Sequence, residues 1–408
     1  MGEPFFWPES SSPGYSPSKK GGRAKTKTCL TCNLYKKCNS PKMEASGKGE
    51  KGILVIAEAP GAEEDRQGVQ LVGKVGRDFE QRLANNGIDL HRDCRKINAI
   101  NCRPPKNRTP KPDEIEACRW KVWKEIKDFK PKVILLLGTA AVHSFLGHRK
   151  PKNLGGITKW RGWQIPDRTV NAWVCPMFHP SFLNYSKDVA AVLFDRDLKM
   201  ALKMVKKKFP KSKDEEQYVQ TTKDPGTVDT YLRSILHKGT SPISFDYETT
   251  GIKPHAEGHK IVTCAISEGP KHAFAFPVMK QNKRMLRKVL KNKKIKKIAQ
   301  NLKFEHTWSD VRLNAGVRGW LWDTMLASHI LDNRRGITGL KFQVYVNFGL
   351  LGYDDKIAMF MEDEENKEKN HNTFNRILEA NIDDVLLYNG LDALLTYKLW
   401  RKQRKKIV

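Results

Sequence analysis

Two sets of residues in this 408-residue chain have the types and spacing to do chemistry. The first is a group of cysteines: Cys29-x-x-Cys32 near the start, then Cys102 and Cys118. Four thiolates, two close in sequence and two distant, can hold a tetrahedral zinc ion or a 4Fe-4S cube, and spacing leaves both open. The second is a series of carboxylates: Asp246 and Glu248 in FDYET, Glu305 after the run at Ile298–Asn301, and Asp392, which follows Tyr388 at helical i, i+4 spacing. Four acids with a nearby tyrosine suit two divalent ions about 4 Å apart, a pair that activates water and stabilises the departing oxygen of a phosphodiester. A lone Asp-x-Glu means little, since acids are common at strand ends. The ordered series means more.

The balance of 74 basic against 45 acidic residues gives a net charge of +29, with lysine-rich clusters at Lys19–Lys27, Lys203–Lys213, Lys291–Lys297 and Arg401–Lys406. Such surfaces gain by displacing counterions from a polyanion, and nucleic acid is the expected partner. Eight cysteines in a chain with no secretion signal do not read as a disulfide framework. Clustered before residue 119, they point to a metal or cluster site in a reducing compartment, here the cytoplasm, or the bacterial host's if the source is viral. Cys38 is a spare thiol near that site, and Cys94 and Cys175 read as packing residues. No apolar run approaches ~20 residues, so no membrane helix is expected.

The elements that must position these groups alternate between short apolar strands and helices, the mark of α/β architecture. In the first half, ILVIAEAP from Ile53, Lys96–Asn101, Lys132–Leu137 and Val170–Cys175 read as strands of a parallel or mostly parallel sheet. Gly76–Asn85, Asp113–Phe129, Ala140–Leu146 and Ala190–Lys207 read as helices. Polar PKSKDEEQYVQ then suggests a linker. A fresh α/β pattern follows, with strands at Ile243–Tyr247, Lys260–Ile266, Ala273–Pro277 and Ile298–Asn301, and helices at Met285–Lys291, Met325–Leu331 and Ile382–Trp400. The expected organisation is a disordered basic tail over 1–27, a domain over 28–208, a linker over 209–224 and a second domain over 225–408. Met361–Asn372 reads as a solvated insertion.

The first domain resembles the family 4 uracil-DNA glycosylases. The resemblance rests on Glu58-Ala59-Pro60-Gly61 with Glu64-Asp65, Gly73 and Gly76, Asn98-x-x-x-Cys102-Arg-Pro-Pro-x-Asn107-Arg108, Cys118, Leu137-Gly138, Arg161-Gly162 and His179-Pro180. It implies a parallel-sheet α/β/α fold and a 4Fe-4S cluster on Cys29, Cys32, Cys102 and Cys118. It also implies a pocket in which Asn98 reads uracil, His179 donates to the leaving base and Glu58 positions water. Arg103, Lys106 and Arg108 are expected to grip phosphates. Two departures stand out. Leu71 occupies the uracil-binding position where the family carries Phe, at a stacking cost of ~1–3 kcal/mol, and Ala57 replaces a glycine before Glu58.

The second domain resembles the 3′–5′ exonuclease of family A DNA polymerases, the DEDD class with a tyrosine in its third motif. This implies a ribonuclease H-like α/β fold, two Mg²⁺ or Mn²⁺ ions on Asp246, Glu248, Glu305 and Asp392, and Tyr388 orienting the attacking water. Glu305 stands where Asp is commonest, and Asp323 in WDTML is expected to be structural. Some bacteriophage polymerases carry a glycosylase-like domain ahead of such an exonuclease. The expectation is therefore a replication or repair protein acting on single-stranded 3′ ends and uracil-containing DNA, the front part of a split polymerase with polymerisation left to a separate chain. Two alternatives stand beside it: a glycosylase-like domain that binds without excising, or a wholly non-catalytic polymerase accessory subunit.

Overall fold

Ile53–Ala57 has no polar residue and is buried along its whole length, as a strand covered by helices on both faces must be. In the computed structural model, which describes residues 28–149, 154–184, 187–211, 214–239, 242–361 and 373–407, it lies inside the first of two compact units divided between Pro210 and Lys211. The expected tail 1–27 lies outside the described residues, as does nearly all of the expected insertion.

The strands of the first unit are β1 (Ile53–Ala57), β2 (Cys94–Asn98), β3 (Val133–Leu137), β4 (Ile165–Asp167) and β5 (Ala172–Met177), in the order β2-β1-β3-β5-β4. All pairings are parallel except the edge strand β4, which runs antiparallel to β5. Register aligns Ala57 with Asn98 and Leu137 with Met177, so the carboxyl ends of β1, β2, β3 and β5 finish along one edge. Ligands gather at such edges. The second strand ends earlier than its apolar run suggests: after Asn98 the chain bends away toward Cys102. Helix Pro112–Phe129 begins where proline fits the first turn and Asp113 and Glu114 meet the exposed amides. It buries Ile115, Cys118, Val122 and Ile126 at three- and four-residue spacing, which carries Cys118 inward.

The second unit contains β6 (Val219–Thr221), β7 (Ile243–Thr249), β8 (Ile261–Gly269), β9 (His272–Pro277), β10 (Lys297–Ala299) and β11 (Trp320–Asp323), in the order β11-β10-β7-β8-β9-β6. Only β8 runs against the rest, giving a mixed, ribonuclease H-like sheet. β6 falls inside the stretch expected as a linker. Too short and polar to show an apolar pattern, it is recruited by main-chain pairing to the edge of β9. Helix Ile382–Ile407 lies close on this sheet where the middle of the contact is made of small residues, with Leu386 before them and Tyr397 and Trp400 after. Ala265, Ala275 and Ala393 pack together, and a Cβ on Gly390 would come within 2.3 Å of Val219. The Ser244 hydroxyl donates to the Ala393 carbonyl at 2.7 Å. That close approach sets how near Asp392 comes to β7.

Candidate active sites

In the first unit, Glu58, Asn98 and His179 follow or end the parallel strands β1, β2 and β5, with β3 lying between β1 and β5. Glu58 lies against the start of helix Gly138–Leu146, where the Ala140 N–H meets its Oε1 at 3.5 Å. Only glycine fits at 138: its φ is +87°, and a Cβ there would meet Glu58 Oε1 at 2.4 Å. Asn98 is buried, and its Nδ2 has no hydrogen-bond partner. A buried amide donor left open is costly unless a ligand supplies the acceptor. The Asn101 Nδ2 is open in the same way, and its Oδ1 receives the Asn98 N–H at 3.4 Å.

His179 is half-buried, and the loss of water around its ring pushes its pKa below the usual imidazole value, with Glu58 and Glu64 pulling back. Its Nδ1 is 2.8 Å from the Ser181 hydroxyl and 3.3 Å from the Ser181 N–H. A backbone N–H can only donate, so Nδ1 accepts, and the neutral ring carries its proton on Nε2. Ser181 was not singled out from sequence, although its place two residues after the histidine offered the signal. Leu71 is buried in the apolar cluster that includes Ala57, Leu137 and Phe178, with a left-handed φ of 59°. The Gly76 α-carbon presses on the Leu71 carbonyl, since a Cβ there would come within 2.2 Å of it.

The cysteines meet beneath this edge. Cys102 and Cys118 pack with Leu34, Ile100 and Ile115, with Cys32 and Cys38 at the margin. Cys29, Cys32, Cys102 and Cys118 lie close enough for the charges of Cys29, Cys32 and Cys102 to act on Cys118. Burial pushes the Cys102 thiol up to about 11 and Cys118 up to about 12. Backbone N–H groups are aimed at three of the four sulfurs: Leu34 at Cys32, Lys42 at Cys102 (3.2 Å) and Asn101 at Cys118. Such donors favour thiolates that ligate, so the donor set fits an iron–sulfur cube.

Of the three expected phosphate contacts, Lys106 stands exposed in a left-handed turn. Arg103 donates to Asn107 Oδ1 at 2.7 Å and lies 3.9 Å from Asp65. Arg108 forms a two-pronged pair with Glu114 at 2.5 and 2.9 Å. These two arginines brace the proline-rich loop, which leaves Lys106 as the cation free to meet a phosphate.

In the second unit, ligand oxygens of Asp246, Glu248 and Asp392 lie within 4.8 Å of one another. Asp246 and Glu248 are separated by one residue on β7 and so share a face. Glu305 borders the triad without joining it; it is buried, with Oε2 unpartnered. Its helix, Leu302–Leu313, starts at left-handed Asn301. Asp323 holds that turn by accepting the N–H groups of Asn301 and Leu302 at 3.2 and 2.9 Å while capping its own helix, so it positions Glu305.

Burial, then the charge of neighbouring acids, raises Asp246, Glu248 and Glu305 well above the usual carboxylate range. Asp392 is raised by burial, with Lys341 and the Tyr353 and Tyr388 hydroxyls opposing. Tyr388 is also raised, by burial and then by Asp392, so its hydroxyl keeps its proton. Three contributors were not singled out from the sequence, although Asn389 sits inside the Tyr388–Asp392 motif. Asn389 donates to Asp246 Oδ2 at 2.8 Å and is itself oriented by the Thr263 hydroxyl. Tyr353 donates to Asp392 Oδ1 at 2.7 Å and stacks on Tyr388 with ring centroids 6.0 Å apart. Lys341 sits 5.1 Å above the Tyr388 ring, is paired with Asp354 at 2.7 Å, and opposes the charge of all three triad acids.

Fold and sites together set an open amide, a histidine and an acid at one sheet edge of the first unit, and an acidic triad at metal-ligand spacing in the second. The uracil DNA glycosylase superfamily matches residues 45–203, and a 3′-5′ exonuclease family matches residues 220–408. The type-4 uracil-DNA glycosylase of Thermotoga maritima is 34% identical over 185 residues, which cover 45% of this chain and 92% of that protein. That of Saccharolobus solfataricus is 35% identical over 182 residues, 43% of this chain and 82% of the relative. The chain belongs, through its first unit, to the type-4 uracil-DNA glycosylase family, and its second unit is a 3′–5′ exonuclease domain. A DNA polymerase of Bacillus phage SP01 is 27% identical over 359 residues, 80% of this chain. The match spans 37% of that polymerase's length. Among the described residues no helix is long and apolar enough to cross a membrane.

Proposed function

We propose that the chain guards DNA replication, hydrolysing DNA from 3′ ends with its second unit and removing uracil with its first, beside a DNA polymerase. The observation that carries the nuclease reading is the Asp246–Glu248–Asp392 triad, a half-buried acid crowded against two buried ones, with Lys341 the cation that opposes them. Asp246, Glu248 and Asp392 would hold divalent ions, with the open Glu305 Oε2 as a further ligand. Two such ions supply Lewis-acid stabilisation of charge on the phosphate and the departing oxygen. The protonated Tyr388 hydroxyl orients the attacking water, Tyr353 and Asn389 hold the acids in place, and Lys341 offsets charge building beside them.

In the first unit, the open Asn98 amide pairs with an acceptor on the edge of an extruded uracil. The His179 Nε2–H donates to the base oxygen as negative charge develops there, a hydrogen bond that strengthens in the transition state. Glu58 positions water at the sugar carbon. Cys29, Cys32, Cys102 and Cys118 hold a 4Fe-4S cluster, whose contribution is to tie the Asn98–Cys102 loop to helix Pro112–Phe129. The second reading, a first unit that binds uracil without excising it, is favoured by Leu71 in place of a stacking ring.

The test is a paired assay on one anaerobic preparation. Mg²⁺ or Mn²⁺ should support release of nucleoside monophosphates from a 3′-labelled single strand, and Asp246→Ala should abolish it. A uracil-containing duplex should acquire alkali-labile sites. Metal-independent release sinks the nuclease reading, and uracil binding without alkali-labile sites selects the non-excising one.

A further inference from the structure

A fifth thiol stands at the cysteine site, and none of the functions above uses it. Cys38 closes the short helix Leu34–Lys37, is half-buried, and borders the same apolar cluster as Cys32, Cys102 and Cys118. Its Sγ donates to the Tyr35 carbonyl at 3.9 Å, and it packs beside Cys102 near enough for the two thiols to act on each other, so the two sulfurs address one corner of the site. It also has what a ligating sulfur needs, because the Arg103 backbone N–H is aimed at Cys38 as the Lys42 N–H is at Cys102.

The chain around Cys38 is held independently of any cluster. The Asn39 and Ser40 N–H groups donate to the buried Asp65 carboxylate at 3.1 and 2.9 Å, and the Ser40 hydroxyl donates to the Asp65 carbonyl at 2.7 Å. Helix Cys29–Cys32, by contrast, buries none of its residues and is closed by short-range bonds, Thr28 and Thr31 bonding to each other and the Cys32 N–H donating to the Thr28 carbonyl.

We propose that Cys38 is a stand-in ligand for the Cys102 corner of the iron–sulfur cluster. This rests on the cluster assignment made above. The site then carries five thiols for four iron positions. Loss of the Cys102 sulfur is met by a rotation of the neighbouring Cys38 side chain, while loss of Cys118, which has no such neighbour among the described contacts, is not. A thiolate replaces a thiolate, with one proton released and no change in oxidation state.

The experiment uses full-length protein purified anaerobically, read by iron and sulfide content, absorption near 400 nm and far-UV circular dichroism. The variants are Cys38→Ser, Cys102→Ser, Cys118→Ser and the double Cys38→Ser/Cys102→Ser. Wild type and Cys38→Ser should carry a full complement of iron. Cys102→Ser should keep at least half of it with an altered spectrum, and the double variant should fall below a tenth. Folded Cys102→Ser protein devoid of iron, or a double variant holding as much iron as the single one, overturns the proposal. If Cys102→Ser fails to fold, Cys102→Ala and the double Cys38→Ser/Cys102→Ala take the place of the serine pair. Iron held by the single variant and lost from the double supports the proposal, and a folded single variant without iron refutes it. Wild type without iron would instead refute the cluster assignment itself.

Discussion

Replacing Asp246 with Asn should stabilise the metal-free exonuclease unit while abolishing its activity. The amide keeps an oxygen to accept from Asn389, so the loss is one of charge rather than packing. Two full charges 4.8 Å apart, the outer limit of the triad's spacing, repel by ~3.5 kcal/mol at an effective dielectric of ~20. Asp246 takes part in two such pairs. Proton uptake relieves part of that repulsion, at about 1.4 kcal/mol per pH unit, leaving an expected gain of ~2–4 kcal/mol at pH 8. In a unit this size that is roughly 4–16 °C in Tm.

The pH dependence follows from the same shifts. The ordinary values are 3.8 for Asp246 and 4.5 for Glu248, and both are raised in the folded protein. Between the ordinary and the raised values the folded state therefore holds protons that the unfolded chain has released. The stability contributed by these groups is full below about pH 4 and is lost as pH climbs through the raised values. Calorimetry in chelator across pH 5–8 should show the wild-type transition falling with pH, flattening in Asp246→Asn and recovering on addition of Mn²⁺. A wild-type transition independent of pH, or an Asp246→Asn Tm below wild type at pH 8, would refute the reasoning.

Lys341→Met should lower the nuclease kcat about tenfold, roughly 1.4 kcal/mol, while tightening apparent Mn²⁺ affinity, because a cation beside the ligands is gone; an unchanged kcat in a metal titration counts against its role. Leu71→Phe should increase kcat/KM for uracil excision by about 5–150-fold if the ring gains the ~1–3 kcal/mol of base stacking. A rate no higher than wild type, measured on a uracil duplex, shows that residue 71 does not face the base. Stripping iron with a chelator should weaken uracil binding far more than 3′ trimming of a normal strand. Asn101 links the two sites in the first unit, its N–H directed at Cys118 and its Oδ1 receiving the Asn98 N–H. Equal loss of both activities, read on the same sample by fluorescence anisotropy and gel assay, would contradict that link.

Much of both sites was legible because the needed residues sit at the ends of regular elements. Apolar ILVIA followed by Glu58 marks a buried strand with an acid at its mouth, and Asp246 and Glu248 share a face through the two-residue period of β7. Pro112 with Asp113 and Glu114 announces a helix, and Cys118 falls on its apolar stripe. Each of these is a local rule. What local rules left unresolved was occupancy: Arg108 looked free to meet phosphate, and tertiary packing gave it to Glu114.

The sequence by itself determined the donor chemistry: which thiols, which carboxylates, and on which elements they ride. The tertiary structure decided how close they come and what surrounds them. Tyr353 and Lys341 reach the nuclease centre from a segment with no motif, and the acids of the triad lie far from both in sequence. β6 joins its sheet through main-chain hydrogen bonds that any residues could make. The 4.8 Å triad exists because Ala265, Ala275, Gly390 and Ala393 let a helix lie close to the sheet. That distance belongs to the packing of two surfaces far apart in the chain, and so no stretch of sequence read alone contains it.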